Sequence, residues 1–221
     1  EATSQGERIA GVLPLSAVDE RLAIVGTSGS GKTYAAKGLV ERLICQGARV
    51  CVVEGDLRRP KLLEYMGLDG SVGLTNVLIG QADLSDSLQR FSDGGLFVLG
   101  AGPVPPNPSE LVGSASMEKT LRELESRFDM VIIDAPPLLP VTDAAVLSTI
   151  AGGTVVVVGV GLVDRDHLRR SLQSLEAVNG RVLGLVVNRV PTKGADAYYY
   201  SRGYAPESPR KRAKERKPAT T

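Results

Sequence analysis

Gly26-Thr27-Ser28-Gly29-Ser30-Gly31-Lys32-Thr33 is the stretch from which the rest of the chain can be read. It fits G-x-x-x-x-G-K-[ST], a loop that cradles phosphate. The context fits as well as the string. Arg21 to Val25 (R-L-A-I-V) is a short β-rich run, and Ala35 to Gln46 reads as a helix. Gly26, Gly29 and Gly31 allow a tight turn whose successive N–H groups face one hollow, with Thr27, Ser28 and Ser30 completing its wall. The N-terminus of the next helix adds free N–H groups and a positive dipole end. Lys32 supplies a point charge for β- and γ-phosphates, and the Thr33 hydroxyl is placed to ligate Mg²⁺. The segments downstream then read as equipment for a bound nucleoside triphosphate.

The segments further along agree. Arg49 to Val53 is a second apolar strand and runs into E-G-D-L-R-R-P. That places Glu54 and Asp56 at the carboxyl end of a parallel strand, where ligands of open α/β sheets bind. If the chain stays extended there, the two carboxylates point the same way. Met130 to Asp134 (M-V-I-I-D), followed by Ala135-Pro136-Pro137, is an apolar strand that delivers one carboxylate beside the metal. Leu96 to Leu99, Thr154 to Val158 and Val182 to Val187 read as further strands. Helical spacing marks Lys61 to Met66, Leu74 to Ile79, the stripe Met117, Leu121, Leu124, Phe128, the run Thr142 to Ile150, and Leu168, Leu172, Leu175. Strands and helices alternate, so the expected architecture is α/β: a P-loop-type, mostly parallel sheet with helices on both faces.

The 221 residues, 43% of them hydrophobic, suit one such domain. The organisation read here is a lead-in over 1–20, a nucleotide domain over 21–192 and a flexible tail over 193–221. Net charge is +1, but residues 209–221 hold six Lys/Arg against one Glu, so a basic end follows a mildly acidic body. This is not the profile of a nucleic-acid binder. Cys45 and Cys51 read as buried, reduced thiols. The single histidine, His167, lies in a charged run and reads as a solvated helix start; one histidine leaves no His-metal cluster. No signal peptide is apparent, and no apolar run reaches the ~18 residues a spanning helix needs. The chain begins at Glu1 and not Met, so a membrane attachment elsewhere stays open. Tyr198, Tyr199, Tyr200 and Tyr204 are four of six tyrosines and crowd into one segment with almost no aliphatic neighbours.

Taken together, residues 21–204 resemble the cytoplasmic domain of the bacterial tyrosine kinases (BY-kinases) that regulate capsular and exopolysaccharide synthesis and export. The P-loop, V-V-E-G-D-L-R-R-P, I-I-D-A-P-P, the loop G-A-G-P-V-P-P-N-P-S-E-L and the tyrosine cluster carry the likeness. The resemblance implies an autokinase using ATP and Mg²⁺, in which neighbouring subunits phosphorylate each other's tails. It implies that Lys32 holds phosphate and Thr33 the metal. Asp134 and Glu54 would reach Mg²⁺ directly or through water, with Asp56 beside them. Asp56 would also accept the tyrosine proton, Arg58 would help close the site, and Tyr198, Tyr199, Tyr200 and Tyr204 would be the acceptors. The implied partners are further copies of the chain and a transmembrane activator, fused or separate, which would hold the domain at the inner face of the membrane; no nucleic acid is implied.

Three features depart from the family pattern. The loop reads S-G-S-G-K where the family has P-G-E-G-K. Glu54 stands where the family has Asp. Residues 1–20 lack the E-x-R-x-x-R used in subunit contacts. The rival readings are a partitioning or positioning ATPase, whose P-loop carries an extra lysine where this chain has Thr27, and a nucleotide-sensing module without catalysis.

Overall fold

The computed structural model describes residues 21–26, 30–91, 95–139 and 141–190. The lead-in over 1–20, Thr27, Ser28, Gly29 and the tyrosine cluster lie outside these residues. The strands are β1 (Arg21–Gly26), β2 (Val50–Glu54), β3 (Gln89–Phe91), β4 (Leu96–Leu99), β5 (Met130–Pro137), β6 (Gly153–Gly159) and β7 (Val182–Asn188). The helices are α1 (Lys32–Cys45), α2 (Leu62–Met66), α3 (Leu74–Leu78), α4 (Leu84–Ser87), α5 (Pro108–Val112), α6 (Ala115–Glu125), α7 (Asp143–Ile150) and α8 (Arg165–Glu176).

Sheet order is β3-β4-β2-β5-β1-β6-β7. Every pairing is parallel except β3 with β4. The antiparallel edge strand β3 has no counterpart in the sequence reading. Its three residues, Gln-Arg-Phe, are too few to show a period. As a short edge it also offers little unpaired backbone to another chain.

The inner strands are apolar on both faces because both faces are covered. Val25, Cys51, Val53, Val131, Ile133 and Val156 face one core, with Met117, Leu121 and Leu124 of α6, Leu147 of α7 and Leu175 of α8. Leu22, Ile24, Val50, Val52 and Ile132 face the other, under Val40 and Leu43 of α1 and Leu62 and Leu63 of α2. The stripe from Met117 to Phe128 is therefore core, as its spacing predicts. Cys51 is buried, but Cys45, in the last turn of α1, is exposed, contrary to expectation. His167 sits in the first turn of α8, where its backbone N–H donates to the capping Asp164. No helix among the described residues is long and apolar enough to cross a membrane.

The order has one functional consequence. β2, β5 and β1 are adjacent at the centre, so the ends of the E-G-D stretch, the I-I-D stretch and the strand before the phosphate loop meet along one edge. In register, Glu54 stands opposite Asp134, and Gly26 opposite Pro137.

Candidate active site

α1 starts at Lys32, directly behind Gly31, whose φ of 76° lies in the left-handed region that glycine enters without strain. This abrupt start points the first-turn side chains at the end of β5. Lys32 Nζ lies 2.5 Å from Asp134 Oδ1, and Thr33 Oγ1 lies 3.1 Å from Asp134 Oδ2. The first two residues are about a hundred positions from the third in sequence. The ammonium and carboxylate are both mostly buried, which makes each a strong competitor for any ion entering the site.

Asn188, the last residue of β7, braces the same loop. Its side-chain amide donates to the carbonyls of Ser30 (2.9 Å) and Gly31 (3.3 Å), and its Oδ1 accepts from the N–H of Arg189. The amide thus ties the end of β7 to the two residues that precede α1. The sequence reading missed Asn188. Its place just past an apolar run, at the carboxyl edge of the sheet, was the available signal. Gly31→Ala should weaken nucleotide binding by about tenfold or more, since a Cβ there is strained and collides with the Asn188 amide. Calorimetric titration with Mg-ADP checks this.

Glu54, expected to reach Mg²⁺ directly or through water, has its carboxylate engaged by the protein backbone. The chain does not stay extended beyond it. Its carboxylate, 3% exposed, is turned onto backbone donors: Oε1 accepts from Lys61 N and, at 2.6 Å, Leu62 N, and Oε2 accepts from Ala101 N at 3.1 Å. Burial raises its pKa and outweighs the lowering by these N–H groups; the charge of Asp134 adds to the rise. Asp56 caps its own turn, Oδ1 accepting from the N–H groups of Arg58 (3.2 Å) and Arg59 (3.0 Å).

Arg58 was expected to help close the site. Its side chain runs to Asp143, with Nε 2.7 Å from Oδ2 and Nη2 3.3 Å from Oδ1, and to Ser109 Oγ at 2.8 Å. The adjacent Arg59 lines a groove beside α1. For Asp143, burial works to raise the carboxyl, but Arg58 and Ser109 outweigh it and hold the pKa below the ordinary 3.8. A depressed carboxyl stabilises the fold fully above that ordinary value and loses the contribution as pH falls through the lower folded value. Asp143→Asn should therefore flatten the acid limb of the stability curve below about pH 4, read as urea midpoints against pH.

The groove, of about 1050 Å³, runs along α1 from this edge, bordered at the edge by Lys32, Thr33, Glu54, Asp56, Arg59, Asp134 and Arg189 and further along by Val40, Ile44, Cys45, Phe91 and Leu96. Its polar end, at Lys32, Thr33 and Asp134, offers the groups that phosphate oxygens and their cation would meet. Oxygen donors from Thr33 and Asp134 on one spot are the kind a hard divalent cation takes. Among the described residues no three His, Cys, Asp or Glu side chains gather as a self-sufficient metal site. That is the usual arrangement where phosphate oxygens supply the remaining ligands.

No family model matches the chain. Individual relatives do. YwqD of Bacillus subtilis, a tyrosine-protein kinase, is 34% identical over 173 residues, covering 78% of this chain and 73% of YwqD. The tyrosine-protein kinase CpsD of Streptococcus agalactiae is 31% identical over 163 residues, 73% of this chain and 71% of CpsD. The tyrosine-protein kinase Etk of Escherichia coli is 34% identical over 180 residues, but this chain spans only 25% of Etk. The solved kinase domain of Etk superposes with a TM-score of 0.77 at 33% identity, over 80% of this chain and 69% of that one. Sequence and fold give the same answer as the motifs at the centre of the sheet, and the chain belongs to the bacterial tyrosine-protein kinases.

Proposed function

We propose that this chain moves the γ-phosphoryl group of ATP onto the tyrosines of a neighbouring copy, and so regulates capsule or exopolysaccharide synthesis or export. The observation that carries the reading is the meeting of Lys32 and Thr33 on Asp134 at the polar end of a groove, in a chain a third identical to tyrosine kinases.

Lys32 gives up part of its pairing with Asp134 to incoming β- and γ-phosphate oxygens, and the loop from Gly26 through Ser30 and Gly31, with Thr27, Ser28 and Gly29, wraps the phosphates. Thr33 and Asp134 would hold Mg²⁺, with Glu54 adding its field from the next strand and Asp56 close by. The ion, when bound, would neutralise charge on the phosphates. A tyrosine oxygen attacks the γ-phosphorus as the bond to the β-bridging oxygen breaks, ADP leaves, and Asp56 takes the phenol proton. Such transfer asks mainly for positioning and charge neutralisation, which a rigid sheet edge provides.

The acceptors in this reading are Tyr198, Tyr199, Tyr200 and Tyr204. Each phosphate adds roughly −1.5 to −2 charge, so several would repel one another and the carboxylates of the site, loosening the assembly of copies. A membrane-spanning partner, fused or separate, would hold the domain at the inner face of the cell membrane. The test is direct: incubate the protein with Mg²⁺ and ATP and map phosphosites by mass spectrometry, with Lys32→Met as the blank. Phosphotyrosine at 198–204 in the parent alone supports the reading. ATP hydrolysis without phosphotyrosine would point to a positioning-type ATPase, and nucleotide binding with neither to a sensor.

A further inference from the structure

Asp56 lies on a turn and not on a strand or helix, so something must hold it. Its carboxylate is fixed to the backbone of Arg58 and Arg59. The turn is held on one side by the Gly55 N–H on the Asp134 carbonyl and by the buried Leu57, and on the other by the anchored Arg58 side chain. The anchor is a three-membered cluster: Arg58 forks onto Asp143, Ser109 Oγ donates to Asp143 Oδ1 at 2.6 Å, and Arg58 Nη2 donates to Ser109. Asp143 opens α7 and Ser109 is the second residue of α5, two helices that pack against each other.

From this geometry we infer that Asp143 and Ser109 are positioning residues for phosphoryl transfer, acting through Arg58 on the turn that carries Asp56. The inference rests on the reading of Asp56 as proton acceptor.

Two arguments support it. The Asp143 side chain is 1% exposed, and burying a carboxylate with its partner is a weak route to stability, often no better than an apolar pair of similar size. What a forked pair with one buried partner, Arg58 being 40% exposed, does provide is a defined geometry, because the planar guanidinium meets the carboxylate in one orientation. The cluster also joins the two site motifs. Asp134 ends the core of β5, and Asp143 begins the helix that the same connection leads into. The strand bearing the proposed metal ligand and the turn bearing the proposed base already meet through the β2–β5 pairing and the Gly55 N–H that donates to the Asp134 carbonyl, and the Arg58–Asp143 pair adds a side-chain link between them.

The role separates from that of a plain structural staple by non-additivity. Purified parent, Asp143→Asn, Ser109→Ala, Asp56→Asn and the two double variants with Asp56→Asn would be compared. Initial rates of phosphotyrosine formation at saturating Mg-ATP are read with radiolabelled γ-phosphate, and Mg-ADP affinity by calorimetry. Asp143→Asn is expected to slow transfer about 10–100-fold and Ser109→Ala about 3–10-fold, with ADP affinity within about twofold of the parent. In the Asp56→Asn background both should add little, because residues acting through one group do not add. Full additivity there, or a loss of ADP affinity equal to the loss of rate, would overturn the inference, as would a parent-like rate in Asp143→Asn when Asp56→Asn is impaired. Should Asp143→Asn fail to fold, Ser109→Ala and its double variant decide the matter by the same criteria. If Asp56→Asn itself transfers at the parent rate, the assignment of Asp56 as base is wrong and the inference goes with it.

Discussion

Glu54→Ala is expected to lower the unfolding free energy by about 3–5 kcal/mol, a large share of the roughly 5–15 kcal/mol typical of a domain. The reason lies in what the carboxylate holds. Lys61 N, Leu62 N and Ala101 N are backbone donors beside a buried group. Truncation leaves them without their acceptor, and hydrogen bonds to a charged group are worth about 1.5–3 kcal/mol each before non-additivity is allowed for. The first two donors belong to the start of α2 and the third to the segment after β4, so both elements should loosen. Glu54→Gln keeps the shape but turns an NH₂ group toward at least one N–H donor, and should lose about half as much. Urea unfolding of the three proteins side by side checks this. Unchanged midpoints would mean that Glu54 serves ligand binding alone.

Lys32→Met should reduce phosphotyrosine formation by about 10²–10³-fold or more while leaving the fold intact. Methionine replaces the lysine stem and removes only the ammonium, which in the structure sits 2.5 Å from Asp134. Two consequences compound. The phosphates lose a buried positive charge, and Asp134 keeps a negative charge without its partner, which repels the triphosphate. Stability should fall less than activity, because a cation can take the vacated place beside Asp134. Initial rates and thermal midpoints measured with and without Mg²⁺ separate the two effects. Parent-like transfer would remove Lys32 from the mechanism.

Much of this architecture was legible in the sequence for a simple reason. Strands buried on both faces must be apolar throughout, and V-C-V-V, M-V-I-I and T-V-V-V-V show it without ambiguity. Helix α6 was equally plain, since Met117, Leu121 and Leu124 repeat at its period. The segment 84–91 was not. Leu84–Ser87 is one turn, and Gln89–Phe91 is a strand only because β4 lies beside it.

The site divides in the same way. Lys32, Thr33 and Asp134 belong to motifs whose spacing reflects local geometry. The directions of Arg58 and Arg59 do not follow from their neighbours. One goes to Asp143, 85 residues away, and the other to the groove, a choice made by the tertiary surroundings of the turn. Glu54 was placed correctly at a strand end, but the donors that claim its oxygens come from a helix start and a loop that no local pattern could have brought to it.

The bracing of the phosphate loop by Asn188 has a mechanical side. Asn188 ends the last strand, and the polypeptide beyond it leads on in sequence to Tyr198. Asn188 is held there by its register pair with Gly159 and by the amide that grips Ser30 and Gly31. One amide thus couples the end of the outermost parallel strand to the two residues before α1, so a disturbance at Asn188 reaches Ser30 and Gly31 without passing through any helix.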